Sequence, residues 1–288
     1  IPAFRLTSDA RYIIEITIMA FNRLKTLFVF FTLFLSVCIL LVLKSRSKEP
    51  EIPIALPPQP SVVIKENTIG NIIIIIDDFG YRNDEVSEGF LTLNEDLTFA
   101  VIPGHENSKL FARKAHTKGY EVIIHMPMES TIDTHGELEY ILTENMTSDE
   151  IEERVEKVIS EFPEADGLNN HQGSKATADK RIMNIVSNVL KRHGKYFVDS
   201  RTTSQTVAES VMRSRGVPTA RRHVFLDNDN DVNKIREQLY KLVDKAESKG
   251  KAIGIGHAKR LTLEVLKSEI PKLKKNGFTF QFASFAVK

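Results

Sequence analysis

The stretch Asn71-Ile72-Ile73-Ile74-Ile75-Ile76-Asp77-Asp78 decides the fold. Five consecutive isoleucines leave no polar face, so a strand built from them is buried on both sides, like the strands of a parallel sheet covered by helices. The run ends on two adjacent carboxylates, which repel each other at a strand tip unless a cation or a shared proton relieves them. Outward from this stretch the same idea recurs, a short apolar run followed by an amphipathic helical segment. The pattern predicts strands at 71–76, 97–102, 121–124, 167–169, 196–198, 223–226 and 252–255, and a last extended segment at 278–285. Helices are predicted at 84–93, 108–118, 147–161, 178–193, 206–214, 232–248 and 262–275, with a capping box at Thr147-Ser148-Asp149-Glu150 and stops at Gly119 and Gly194. Strands alternating with helices form a parallel sheet through right-handed crossovers. Seven or so such units between residues 70 and 288 point to an α/β fold, a distorted (β/α)7-8 barrel, ahead of an open doubly wound sheet.

In such folds the loops that follow the strands gather on one face, and that face carries the site. The residues after the apolar runs are Asp77-Asp78, Pro103 and His105, His125, Asn170-His171, Asp199-Ser200, Asp227 and His257. Asp and Asn also favour turns and helix caps, but almost every strand here ends in a metal-ligand or acid/base type. One aspartate and two histidines form a common ligand set for a zinc-like ion with a position open to water. Alternation at the strand end lets one of the two carboxylates bind a metal while its neighbour faces the reacting water. His257 follows the glycine-spaced run IGIG, where backbone approaches a ligand or a neighbouring element closely. It is a candidate general acid. The plainer reading of His125, His171 and His257 is a buried histidine bonded to backbone. His105, His116, His135, His193 and His223 read as surface or structural residues.

Lys and Arg number 39 against 38 Asp and Glu in 288 residues, a balance that excludes an electrostatic footprint for nucleic acid. The one cysteine, Cys38, excludes a disulfide framework and a Cys-based zinc site. Leu27 to Leu43 runs without a charge between basic flanks. As a helix it would be roughly 26 Å long, close to the thickness of a bilayer core. It reads as an uncleaved signal anchor, since no small-residue cleavage site follows. Met19 opens a stretch that resembles an ordinary start, so residues 1–18 are expected to lie ahead of the natural one. Residues 44–69, with five prolines, read as a semi-rigid tether. The expected organisation is thus an N-terminal segment 1–26, an anchor 27–43, a linker 44–69 and a folded domain 70–288.

The order IIIIIDDFG, GYEVIIHMPMES, GLNNHQGSKATAD, YFVDSRTT, FLDN and AIGIGHAKRLTLEVLKSEIPKL resembles the divergent polysaccharide deacetylase family over roughly residues 70–288. That family is a branch of the polysaccharide deacetylases with a distorted (β/α) barrel. The resemblance implies Asp77 as general base, Asp78 as metal-binding aspartate, His125 as the first histidine of the metal motif His-x-x-x-His, and His257 as general acid. It implies Asp199 as a supporting acidic residue that orients His257. Glu129 stands where the second motif histidine is expected. His171 is then expected to supply the missing imidazole, with Glu129 supporting the site, touching substrate, or ligating if His171 points away. Asn170, Ser174, Arg201 and Asp227 offer hydrogen bonds to a hydroxyl-rich sugar, the plainer reading being that they cap helices or turns.

The implied activity is removal of N-acetyl groups from an amino-sugar polysaccharide of the cell envelope, with a divalent ion, zinc by its ligand set, as cofactor. Two other readings stay open. Glu129 favours a glycan-binding or envelope scaffold protein that keeps the barrel without catalysis. A glycoside hydrolase would use Asp77 and Asp199 as its carboxylate pair. The expected partners are a polysaccharide or oligosaccharide and a membrane bound through the N-terminal helix, with no nucleic acid. The expected location is the inner or cytoplasmic membrane, with the domain facing the periplasm or the exterior.

Overall fold

The computed structural model describes residues 25, 28, 31–41, 68–132 and 136–288. Two compact units, 1–64 and 65–288, are described separately. In the first, residues 31–41 are helical, and Thr32 and Ser36 donate their hydroxyls to the carbonyls of Phe28 and Thr32 at 3.1 and 2.8 Å. The expected span 27–43 lies partly outside the described residues, and among the described residues no helix is long and apolar enough to cross a membrane. Of the expected linker 44–69, only Thr68 and Ile69 are described.

Among the described residues the second unit has nine strands: β1 (Gly70–Phe79), β2 (Thr98–Val101), β3 (Glu121–Met128), β4 (Gly167–Gln172), β5 (Tyr196–Asp199), β6 (Thr219–Arg221), β7 (Val224–Phe225), β8 (Lys251–His257) and β9 (Phe278–Gln281). The helices are α1 (Glu85–Phe90), α2 (Ser108–Thr117), α3 (Ser148–Glu161), α4 (Lys180–Arg192), α5 (Ala208–Arg215), α6 (Val232–Lys249) and α7 (Arg260–Lys275). Every strand pairing is parallel, in the order β6-β5-β4-β3-β2-β1-β8-β7, with β9 on β1. The result is a curled half-barrel of parallel strands. Its two end strands, β6 and β7, are separated only by Arg222 and His223, so one extended segment borders both β5 and β8.

That segment corrects the expectation of a single strand at 223–226. The interruption is stabilised by His223, whose Nδ1 accepts the Ile253 N–H at 2.9 Å and so stands in for a backbone carbonyl of the ladder. The predicted segment 278–285 is a strand only to Gln281, followed by a short 3-10 turn at 283–285. The capping box at Thr147 is formed, and it opens α3.

The isoleucine run feeds two cores. Ile72, Ile74 and Ile76 join the larger cluster beneath the helices, whereas Ile73 and Ile75 join a smaller one with Ala100, Ile123, Val198, Ala220, Ile253 and Ile255. Alternation along a strand places residues two apart on the same face. The inner face therefore continues from Ile75 to Asp77, from Ile123 to His125, from Val198 to Ser200, from Ala220 to Arg222 and from Ile255 to His257. Gly254 faces the other way, where a Cβ would meet the Leu242 side chain at 2.6 Å. Gly254 thus serves close packing of α6 on the sheet, while a Cβ at Gly256 would meet Thr262 of α7 at 3.2 Å.

Candidate metal centre

Parallel register sets neighbours side by side at the C-terminal rim. Asp77 of β1 pairs with His257 of β8, and His125 of β3 with Asn169 of β4, two residues before His171. Asp78 would point outward by alternation, but its φ of 70° lies in the left-handed region, within a register shift between Ile76 and Phe79. Asp tolerates this conformation better than most residues. A bulge of this kind re-aims a side chain at a strand end. Both carboxylates consequently reach His125: Asp77 Oδ2 lies 3.6 Å and Asp78 Oδ1 3.4 Å from Nε2. The expectation that alternation divides the two carboxylates is corrected here by the bulge.

Asp78 Oδ1, His125 Nε2 and His171 Nδ1 converge. Oδ1 is 3.4 Å from each nitrogen, and the two nitrogens are 3.0 Å apart. Candidate ligand atoms from the three residues all lie within 4.8 Å of one another. Asp78 Oδ1 is buried with no hydrogen-bond partner among the described residues. Such an atom is costly unless a ligand completes it. The donor set, one carboxylate and two imidazoles, suits a divalent ion of the zinc type.

Asn169 sets the tautomer of His125. Its Nδ2 donates to Asp77 Oδ1 at 2.8 Å, so its Oδ1 faces His125 Nδ1 at 2.7 Å. The oxygen can only accept, which places a proton on Nδ1 and turns the Nε2 lone pair toward Asp78 and His171. Without a cation, the two imidazoles share one hydrogen bond between Nε2 and Nδ1. A cation would replace that proton.

Electrostatics follow from crowding. Burial pushes the Asp77 carboxyl up, with the charge of Asp78 adding and His125 and His257 opposing. Burial also works against the charge of Asp78, but His125 and His171 hold that carboxyl far below the usual range. Burial opposes the charge on His125, yet Asp77 and Asp78 together raise its pKa to about 9. At the other end of the site, His257 Nδ1 bonds Asp227 Oδ1 at 2.8 Å, while Asp227 Oδ2 accepts the His257 N–H at 2.8 Å and the Thr262 hydroxyl at 2.7 Å. Burial opposes the charge on His257, and Asp227 outweighs it, so this imidazole is also more basic than usual.

Several expected contacts are replaced. Asp199 does not orient His257: following Phe197 on the helix-facing side, it binds the Arg201 N–H and the Thr206 hydroxyl at 2.8 and 2.9 Å. Asp227, expected at the substrate, holds His257 instead. Glu129 is remote from the ligand cluster in its contacts, pairing with Lys175 at 2.8 Å and accepting the Glu144 N–H at 2.7 Å. Ser174 Oγ meets Ser130 Oγ and the Thr131 N–H at 3.0 and 2.9 Å. Asn170 ties Ser200 N to Gln172 O, although it also lines the pocket. Arg201 lines that pocket too.

The cavity is about 390 Å³, and Asp77, His125, His171 and His257 share its lining with Arg222 and Phe225. Asn169, Arg222 and Thr262 escaped sequence reasoning. For Asn169 the signal was present, since it stands two residues before His171 and so on the same face.

The model of the divergent polysaccharide deacetylase family matches residues 74–287. The chain belongs to that family. Among its relatives, the uncharacterized protein YibQ of Escherichia coli K12 is 36% identical over 204 residues, covering 71% of this chain and 63% of the relative. The chain thus spans less than two thirds of that protein. An uncharacterized protein of Haemophilus influenzae is 31% identical over 209 residues, covering 71% of this chain and 72% of the relative. The crystal structure of the uncharacterized protein ATU2773 from Agrobacterium tumefaciens C58 has a TM-score of 0.72 at 17% identity, over 76% of this chain and 89% of that one. That likeness establishes a shared fold.

Proposed function

We propose that the chain is a metal-dependent N-deacetylase of an amino-sugar polysaccharide. The observation that carries this reading is the convergence of Asp78, His125 and His171 beside a buried base, Asp77, and a carboxylate-backed imidazole, His257. A divalent ion bound by the first three residues would supply Lewis acidity toward an amide carbonyl and lower the pKa of water. Asp77 is suited to accept a proton: one oxygen is held by Asn169, the other is open toward the site, and burial makes it more basic than a surface carboxylate. His257, positively charged over a wider pH range because of Asp227, presents Nε2 as proton donor to the departing amine. The net reaction breaks the amide C–N bond, adds water, and releases acetate and a free amino sugar. The exposed apolar side chains of the N-terminal helix, Phe28, Phe31, Phe34 and Leu40 among them, support a membrane anchor that would hold the domain beside envelope polysaccharide.

The test is acetate release by the full chain from N-acetylglucosamine oligomers, together with metal content. Stoichiometric zinc and acetate release, both lost in Asp78→Asn, are expected. Glycan binding without acetate release would favour the second reading, a scaffold without catalysis, for which Glu129 at the motif position speaks.

A further inference from the structure

The chemistry above leaves part of the pocket without a task. Arg222 lies in the break between β6 and β7. Its Nε donates to Ser200 O at 2.6 Å, its Nη2 donates to Arg201 O at 2.9 Å, and its guanidinium carbon lies 4.8 Å from the Phe225 ring centroid. These contacts fix the plane of the guanidinium. Nη1 has no hydrogen-bond partner among the described residues, and neither Arg222 nor Arg201 forms an ion pair with a described carboxylate. Arg201 is itself held at φ 50°, a left-handed conformation unusual for arginine, by the bond from its N–H to Asp199. Burial, with the like charge of Arg201 added, makes Arg222 easier to deprotonate than usual, while Asp77 and Asp199 counter this from beyond ion-pair distance. Ser200 lines the same pocket, is 5% exposed, and its buried Oγ has no hydrogen-bond partner. Half-buried cations without an ion-pair partner among the described residues, next to an unsatisfied hydroxyl, are an arrangement that an anionic ligand completes.

We propose that Arg222 and Arg201 receive a carboxylate of the substrate, so that the preferred substrate is an acetamido sugar chain bearing acid groups, such as lactyl ethers or uronic acids, over a neutral chitin-type chain. The acetamido part rests on the deacetylase reading; the carboxylate part stands on the two arginines.

The experiment is calorimetric titration of the full chain with oligosaccharides of equal length. One is neutral N-acetylglucosamine, one alternates it with N-acetylmuramic acid, one is the methyl ester of the second, and one carries a phosphate in place of the lactyl group. The acid is expected to bind about tenfold or more tighter than the neutral chain and its ester, the worth of one charge-assisted pair. Arg222→Met and Arg201→Asn are each expected to erase that preference, costing the acid about tenfold more than they cost the neutral chain. Asn keeps the left-handed backbone accessible at 201, so this variant answers even if Arg222→Met misfolds. Equal affinities for acid, ester and neutral chain, or equal losses on all of them in Arg201→Asn, would overturn the proposal. Tighter binding of the phosphate than of the acid would overturn the choice of carboxylate. Acetate is measured in the same samples. A preference for the acid with no acetate from any sugar sinks the deacetylase reading and leaves the arginine assignment. Acetate release with equal kcat/KM from acid and neutral chains does the reverse.

Discussion

His125 and His257 are each held at Nδ1 by an oxygen, at 2.7 and 2.8 Å, but the oxygen belongs to the Asn169 amide in one case and to the Asp227 carboxylate in the other. An amide oxygen adds no charge and keeps a proton on Nδ1, so once a cation displaces the proton that Asp77 and Asp78 favour on the ring, the His125 Nε2 lone pair faces Asp78 and His171. A carboxylate fixes the ring and also favours its protonated form, which suits His257 to carry a proton. One geometry therefore gives a ligand on β3 and an acid on β8.

The largest effect should come from Asp78→Asn, which removes the charged member of the ligand cluster. Plasma emission is expected to find the bound metal lost, and acetate release to fall to the background of a blank. His257→Gln and Asp227→Asn should separate the two histidines, lowering acetate release by about 10²–10⁴-fold while the metal content stays at the parent value. Loss of metal in either variant would contradict the division. Asn169→Ala should do the opposite, weakening metal binding about 10–100-fold in competition with a chelator.

The comparison also carries a pH signature. With the His125 pKa near 9 in the metal-free protein, the ring holds a proton below that pH that a cation must displace. Metal affinity should thus fall about tenfold for each pH unit below 9 and level off above it, as read by competition titrations at several pH values. A flat profile between pH 6 and 8 would mean that binding displaces no proton from His125 in that range, overturning the raised basicity of this ring. The smallest effect is expected for Glu129→Gln, whose partly exposed pair with Lys175 is screened by solvent, so that thermal stability and metal content both stay close to the parent values. Metal loss in this variant would return Glu129 to the ligand set.

The strand bodies were legible because isoleucine runs and helical periodicity are local signals, and the rim residues followed from parallel topology. The pair Asp77-Asp78, His125 and His171 could be gathered by that rule, while the choice of Asp78 over Asp77 as ligand rested on the family resemblance. The roles of Asp199 and Asp227 could not, because which face a rim carboxylate takes depends on the parity of the strand below it. Asp199 shares the parity of Phe197, whereas Asp227 shares that of Phe225, which packs on the inner cluster. The bulge at Asp78 was equally hidden, since a positive φ at an aspartate leaves no mark in the sequence. Arg222 was missed because β6 is too short to show a period and its side chain works through the carbonyls of Ser200 and Arg201.

The pairing of β1 has a consequence for the nascent chain. This strand leaves the ribosome first among those of the sheet, yet from Asn71 to Asp77 it needs β8, and at its start β9; nearby, Thr68 reaches the Gly277 carbonyl 209 residues later. At about 5–20 residues per second of synthesis, the isoleucine run waits roughly ten to forty seconds for those partners. During that interval β2 can cover one edge, but the edge that β8 and β9 complete stays open on a segment of high β-propensity without a charge to interrupt it, a natural client for a chaperone.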